Sequence, residues 1–342
     1  MTDTKTPTTE AKFPQKMVVI VPVADLRSKP EAVDPSVKLP TLLKTNGAQE
    51  SQLFFGEHIL ALEEQGEWLR IQALEQKKFK DDKWQGYPGW IKKSQAMAVA
   101  EFPKYNLVIN KPWAKLFDTN ADVMLSMGTK LRGTRRVDDT WDIELADRTT
   151  AKIAATDVYH MTPIVTEDID TIRKNIVALA QYFVGWLYSW GGRSAQDLEN
   201  YIISSVDCSS LSNIWLRAFG FQIPRDAHEQ FLRAQPLSSG SDLQPGDFIF
   251  LAPQERKNRI THIMIYLGNG QLIEASHIEE EVFNDTHIIS VKDKLGAHLD
   301  TFHNGQLYKA RGLEYSIYFG TYLGSKEQLQ ALRDEELQSV YE

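Results

Sequence analysis

The chain of 342 residues is poor in cysteine: it has one, Cys208. A lone thiol excludes an intrachain disulfide framework, and it leaves the cellular compartment undecided. No run of residues is long and apolar enough to span a bilayer. An excess of positive charge is also missing. The formal net charge is -8. With no basic run to offset it, nothing draws the chain toward nucleic acid or an anionic membrane. The start, Met1 to Glu10, has no apolar signal core and reads as a disordered polar tail over 1–15. The expectation is a cytoplasmic protein, or a periplasmic or secreted one whose leader had been removed. Oligomeric state is not legible. A hydrophobic fraction of 42% and a charged fraction of 25% are ordinary for a globular chain, and the length suffices for two or three domains.

The cysteine stands at the start of a predicted helix. Leu211, Ile214, Trp215, Ala218 and Phe219 recur at helical spacing, and Gly220 supplies a stop. A thiol in a first helical turn feels the positive end of the dipole and the unpaired N–H groups, which favour the nucleophilic thiolate. The competing reading is a buried, inert cysteine.

A histidine hairpin weighs between the two. Arg259 to Gly268 reads as a β-branched strand, Asn269-Gly270 as a tight turn, and Gln271 to His277 as the returning strand. If Gly268 pairs with Gln271, counting outward pairs Tyr266 with Ile273, Met264 with Ala275 and His262 with His277. His262 then becomes a base for the thiol, with His277 holding its tautomer. A turn one residue longer would shift this register. The competing readings are two surface histidines, or a metal site for which the ligand pattern is thin. No metal or organic cofactor is implied.

Asp207-Cys208-Ser209-Ser210, Thr261 to Gly268 and Glu274 to His277 resemble the three motifs of the NlpC-type cell-wall cysteine peptidases. Tyr188 to Gly192, Ile223 to Ala227 and Leu243 to Phe250 resemble further family segments in the same order, so that the match covers about residues 165–325. The resemblance implies an α+β, papain-like catalytic domain over 164–342, with a nucleophile helix packed on an antiparallel sheet. Within it, Ile169, Ile172, Ile176, Leu179, Ala180 and Phe183 recur at helical spacing and predict a helix, and Ser325 to Glu342 reads as a charged surface helix with a thin stripe of Leu329, Leu332 and Leu337. It implies Cys208 as nucleophile, His262 as base and His277 as orienting residue. It also implies substrate contacts from Tyr188, Asp207 and Ser209, although Asp207 reads equally well as a plain helix N-cap and Tyr188 as a core aromatic. Between Gly192 and Asp207 the chain is longer than the family pattern, which puts fine specificity in doubt.

Ahead of this domain, short strand signals recur. Gly56 to Leu62, then Trp68 to Ile71, are echoed by Met127 to Gly133, then Trp141 to Leu145. The pattern predicts two small β-barrels, at 16–100 and 101–163, that look like bacterial SH3-type domains. Such modules before an NlpC-type domain resemble γ-D-glutamyl-L-diamino acid endopeptidases. The resemblance implies muropeptides or peptidoglycan stem peptides as substrates, with a free N-terminal L-alanine amine met by Tyr87 and Glu57. Glu57 as a plain turn residue is an equal reading. The rival functions are a non-catalytic wall-binding protein, and an amidase or acyltransferase using the same Cys-His pair.

Overall fold

The computed structural model describes residues 13–32, 48–119, 123–161, 168–198, 201–256, 259–277, 285–310 and 313–338. Of the tail expected over 1–15, residues 1–12 lie outside these residues, while Gln15 already begins a strand.

The first part is an antiparallel sheet whose strands run, in spatial order, Gln49–Phe54, Val23–Arg27, Lys83–Lys92, Trp68–Lys80, His58–Gln65, Gln15–Val19 and Ala96–Ala98. Alternate residues such as Leu26, Leu53, Ile59, Ile71 and Ile91 turn inward to one core. Gly89 has to be glycine, because a Cβ there would lie 2.6 Å from Leu26 Cδ1. A second part follows, with strands between Leu107–Ile109 and Val158–His160 around Leu107, Ile109, Leu131, Ile143 and Ile153.

The internal repeat is visible bond for bond. Gly56 N–H donates to Val19 O in the first part, and Gly128 N–H to Ile109 O in the second. Phe55 N–H donates to Pro22 O, and Met127 N–H to Pro112 O. Both glycines sit at positive φ, +79° and +86°, where the turn would strain any other residue.

The third part carries the lone cysteine. Its antiparallel sheet runs Gln235–Pro236, Leu313–Thr321, Phe248–Pro253, His262–Gly268, Gln271–Ala275 and Thr286–Ser290, with Gln306–Ala310 added on Leu313–Thr321. The helix Cys208–Arg217 packs on this sheet. Leu211, Ile214, Trp215 and Ala218 meet Phe248, Phe250, Ile263, Ile265 and Ile273 in one core, as the spacing predicts. The expected helix after residue 168 is present as Ile169–Ala178 and Ala180–Phe183. The stretch after Gly192 forms a hairpin, Arg193–Leu198 with Tyr201–Val206. The C-terminal helix Lys326–Gln338 is not the loose surface helix expected. Leu329 and Leu332 join the main core, and Arg333 donates to Tyr159 Oη and Phe219 O.

The polar side of the Cys208 helix is buried as well, because the first two parts cover it. Asn213 and Arg217, one turn apart, face them. Arg217 Nη2 lies 2.7 Å from Glu75 Oε2 and 3.4 Å from Glu57 Oε1, and its Nε donates to Gly128 O. Arg193, at the base of the hairpin, bonds Glu57 at 2.5 Å and Asn213 Oδ1 at 2.9 Å, and stacks over Phe54. Lys130 Nζ lies 3.4 Å from Glu75. Burial works against the Glu75 carboxylate, but Arg217 and Lys130 outweigh it and hold the carboxyl far below its usual range. Burial lowers Arg193 to about 10, which leaves it charged at neutral pH.

Removing one partner from such a buried cluster strands its counter-charges. Glu75→Gln is expected to destabilise the protein by about 3–5 kcal/mol at pH 7 in urea melts. Because the folded-state carboxyl is lowered, its stabilisation is complete above the unfolded value of about 4.3 and is lost as pH falls below it. The stability difference between wild type and Glu75→Gln should therefore shrink from pH 7 to pH 3. A constant difference would show that the charge of Glu75 is not the source.

Candidate active site

Cys208 opens its helix because Asp207 caps it. Asp207 is extended, with φ -97° and ψ 176°, and its Oδ1 accepts from Ser210 N at 2.8 Å while Ser210 Oγ accepts from Asp207 N at 2.9 Å. Arg225 then clamps the cap, with Nη1 3.0 Å from Oδ1 and Nη2 2.7 Å from Oδ2. Gly191 N–H donates to Oδ2, and Ser209 Oγ to Oδ1. Burial opposes ionisation of Asp207, but Arg225 and these donors outweigh it, so the carboxyl lies below its usual range. With five donors on two oxygens, Asp207 is a structural cap, and Ser209 is bound inside the same cluster. The contacts seen here are those of the plain N-cap reading.

Tyr188 reaches the cysteine because strand Leu187–Tyr188 pairs in parallel with Ser205 and Val206, just before the cap. Burial and the neighbouring Cys208 and Asp207 push its phenol well up, so its O–H stays a donor at neutral pH. Cys208, Tyr188, His262, Glu274 and His277 line one open cleft of about 540 Å³. The backbone N–H groups of Ile263 and Ser209 reach the sulfur, which puts Cys208 beside the residue following His262.

The histidine pairing differs from expectation. Gly268 does pair with Gln271, but a bulge follows, and the ladder continues as Tyr266 with Leu272 and Ile265 with Ile273. A one-residue slip exchanges the two faces of a strand. His262 therefore shares a face with Glu274 as a diagonal cross-strand neighbour. Its Nε2 lies 2.5 Å from Glu274 Oε2. His277 stacks instead on Tyr188, with ring centroids 5.9 Å apart and planes at 21°. The partner that His262 Nε2 meets is thus Glu274.

Glu274 is 1% exposed and is held by more than the imidazole. Its Oε1 lies 2.6 Å from Lys294 Nζ and 3.5 Å from His287 Nε2. Burial raises its carboxyl, yet His262, His287 and Lys294 together drive it far below the usual range. An ionised carboxylate only accepts, so His262 Nε2 carries its proton and Nδ1 presents the lone pair. Among the described residues no group of three or more His, Cys, Asp or Glu side chains is arranged to hold a metal ion.

The expected thiolate is not the resting form. Burial, with the Asp207 carboxylate next, pushes the Cys208 thiol up to about 12, against the smaller opposing pull of the two N–H groups and Arg225. The helix dipole is outweighed.

Of the two expected amine contacts, Glu57 is misplaced. It is 1% exposed and spent on Arg193 and Gln76, within the buried cluster rather than at the cleft. Tyr87 does lie at the boundary between the first part and the cysteine domain. Its Oη is 3.2 Å from Asp226 Oδ2 and 3.4 Å from Glu50 Oε2, and Lys78 Nζ donates to it at 3.1 Å. Asp226 follows Arg225, the partner of the Asp207 cap, so Tyr87 is two bonded contacts from the residue before Cys208. Glu274, Lys294, Glu50 and Asp226 were not singled out from sequence. Glu274 stood in a quoted motif, and Gly268-Asn269-Gly270, three residues at positive φ, was the one local sign of a bulge.

A cap-fixed thiol, an imidazole and a buried carboxylate share one cleft, on a helix-over-antiparallel-sheet fold, and these are the groups a cysteine peptidase uses. Residues 185–296 match the NlpC/P60 family, so this part of the chain is an NlpC/P60 domain, the domain of a family of cysteine peptidases. It is 28% identical to the gamma-D-glutamyl-L-lysine dipeptidyl-peptidase of Bacillus subtilis (strain 168), over 68% of this chain and 74% of that one. It is 34% identical to the peptidoglycan endopeptidase RipA of Mycobacterium tuberculosis, over 28% of this chain and 20% of that one. The crystal structure of an NlpC/P60 family protein from Bacillus cereus ATCC 10987 superposes with a TM-score of 0.70 at 21% identity, covering 90% of this chain and 99% of that one.

A protonated resting thiol has a kinetic signature. Alkylation of Cys208 by iodoacetamide is expected to be slow at pH 6 and to keep rising beyond pH 8. A rate already level at mildly acidic pH would mean a resting thiolate and would overturn this assignment.

Proposed function

We propose that the protein hydrolyses the γ-D-glutamyl–diamino acid bond of peptidoglycan stem peptides, with Cys208 as nucleophile and His262 as general base and acid. The observation that carries this reading is the His262–Glu274 bond at the wall of the cleft that holds the sulfur. Glu274 fixes the tautomer that leaves Nδ1 to take the thiol proton. The Cys208 sulfur attacks the γ-carbonyl carbon as that proton moves to Nδ1. The carbonyl oxygen becomes an oxyanion, received by the Cys208 amide and the Tyr188 hydroxyl. The bond to the diamino acid breaks, and His262 protonates the departing amine. Water, deprotonated by His262, then cleaves the thioester and restores the thiol.

The peptidoglycan substrate is supported by the names of the relatives and by the surroundings of the cleft. In this reading the two N-terminal parts are SH3-type modules, and the first of them forms a wall of the substrate site. Its Tyr87 stands with Glu50 and with Asp226, whose Oδ2 also accepts from Lys78 Nζ at 3.0 Å, and these carboxylates are the charge that a free L-alanine ammonium needs when it leaves water. Glu50 and Asp226 take the place first given to Glu57. The third residue of the peptide is lysine or meso-diaminopimelate.

A mass-spectrometric digest of L-Ala-γ-D-Glu-diaminopimelate should show release of the diamino acid by the wild type and none by Cys208→Ala. Undiminished turnover by that variant removes Cys208 from the reaction. N-acetylation of the substrate should lower kcat/KM at least about ten-fold, since it erases one charge-assisted contact; equal cleavage of blocked and unblocked peptide would refute the amine subsite. Glu274→Ala is expected to lose about 10²–10⁴-fold in kcat, as loss of an orienting carboxylate does, whereas His277→Ala should lose far less.

A further inference from the structure

We propose that Lys294 is a positioning residue that sets the charge state of the histidine base: by sharing Glu274 with His262, it keeps the imidazole uncharged where it must accept the thiol proton. The proposal rests on the reading of His262 as the base. A buried carboxylate bonded to an imidazole alone stabilises the imidazolium, and an imidazolium has no lone pair on Nδ1. A cation on the second carboxylate oxygen offsets that pull.

The geometry supplies such a cation. His262 Nε2 is 2.5 Å from Oε2 and Lys294 Nζ is 2.6 Å from Oε1 of the same carboxylate. Lys294 rides on the short helix Val291–Leu295, anchored by buried Val291 and Leu295. Its neighbours Lys292 and Asp293 are exposed, but the Lys294 side chain is 21% exposed and turned onto a carboxylate that is 1% exposed.

The other groups around the pair do not substitute for it. His287, on strand Thr286–Ser290, stands 3.5 Å from Oε1 and is also drawn to Asp285 at 3.2 Å. Its bond to Glu274 raises its pKa, but it stands farther from the carboxylate than Lys294 does and divides its pull with Asp285. From the Cys208 helix the thiol is neutral. Tyr188 and, on Gln306–Ala310, Tyr308 are pushed up by burial and stay neutral phenols. Asp293 is bonded to Ser290 Oγ, Lys309 is paired with Glu314, and His277 stacks on Tyr188. Lys294 is thus the ammonium set at 2.6 Å on the oxygen of Glu274 opposite His262.

The test is Lys294→Met, which keeps the stem and removes the charge, with Lys294→Arg as the conservative control. Isotope-edited NMR of the full chain, in a Cys208→Ala background, follows the His262 ring through pH. The titration is expected to move up by roughly one pH unit in Lys294→Met and to stay near its original position in Lys294→Arg. In the active enzyme the acidic limb of kcat/KM against pH should move up by the same amount. That means about a ten-fold loss below the limb, with the plateau kept. An unmoved or lowered His262 titration overturns the proposal. So does a raised KM at every pH with the titration unmoved, which would give Lys294 to substrate binding. If the titration moves and the rate limb does not, the coupling of Lys294 to His262 stands and the assignment of His262 as the base falls.

Discussion

Five ionisable groups, Glu57, Glu75, Lys130, Arg193 and Arg217, are buried where the three parts of the molecule meet. Each would be costly alone, and together they satisfy one another. Their position is what matters. Arg217 and Asn213 lie on the helix that begins with Cys208, and Arg193 begins the hairpin that ends at Asp207. The nucleophile helix is therefore gripped on both sides, by hydrocarbon packing from the sheet and by charge from the N-terminal parts. The first part cannot shift without exposing or stranding those charges, so Tyr87 is held against the cysteine-bearing part by the same cluster.

A second buried pair, Asp207 with Arg225, works at finer scale. It caps the helix, pins the loop at Gly191 and ends one residue before the sulfur. Its negative partner lies close enough to Cys208 to disfavour the thiolate, which is the opposite of what the helix dipole would do. Burial does most of this, and the carboxylate adds to it as a full charge against partial charges spread over a turn. In the proposed mechanism, activation of the thiol therefore falls to the histidine.

Much of this was legible in the residues. The Cys208 helix, its apolar face, the helix after residue 168, the turn at Asn269-Gly270 and the repeat of glycine turn and Trp-led strand all follow from period and turn chemistry, which are local properties. The motifs around Cys208 and His262 carried the family. What failed was everything that depended on register or on a distant neighbour. The bulge before Gly268 moved His262 from His277 to Glu274 by a slip of one residue. Glu57 looked like an acid available to a ligand, but Arg193, 136 residues away, consumes it.

Residue type and spacing were enough to mark the main helices and strands, the cysteine that could be a nucleophile, and the family that its surroundings resemble. Those depend on side-chain type and spacing along a few turns. Only the tertiary structure decided which carboxylate braces the base, which acids are spent as counter-ions, and whether the resting sulfur holds its proton. Each of these is set by burial and by charges a few ångströms away that come from remote parts of the chain, and neither distance nor burial is written in the order of the residues.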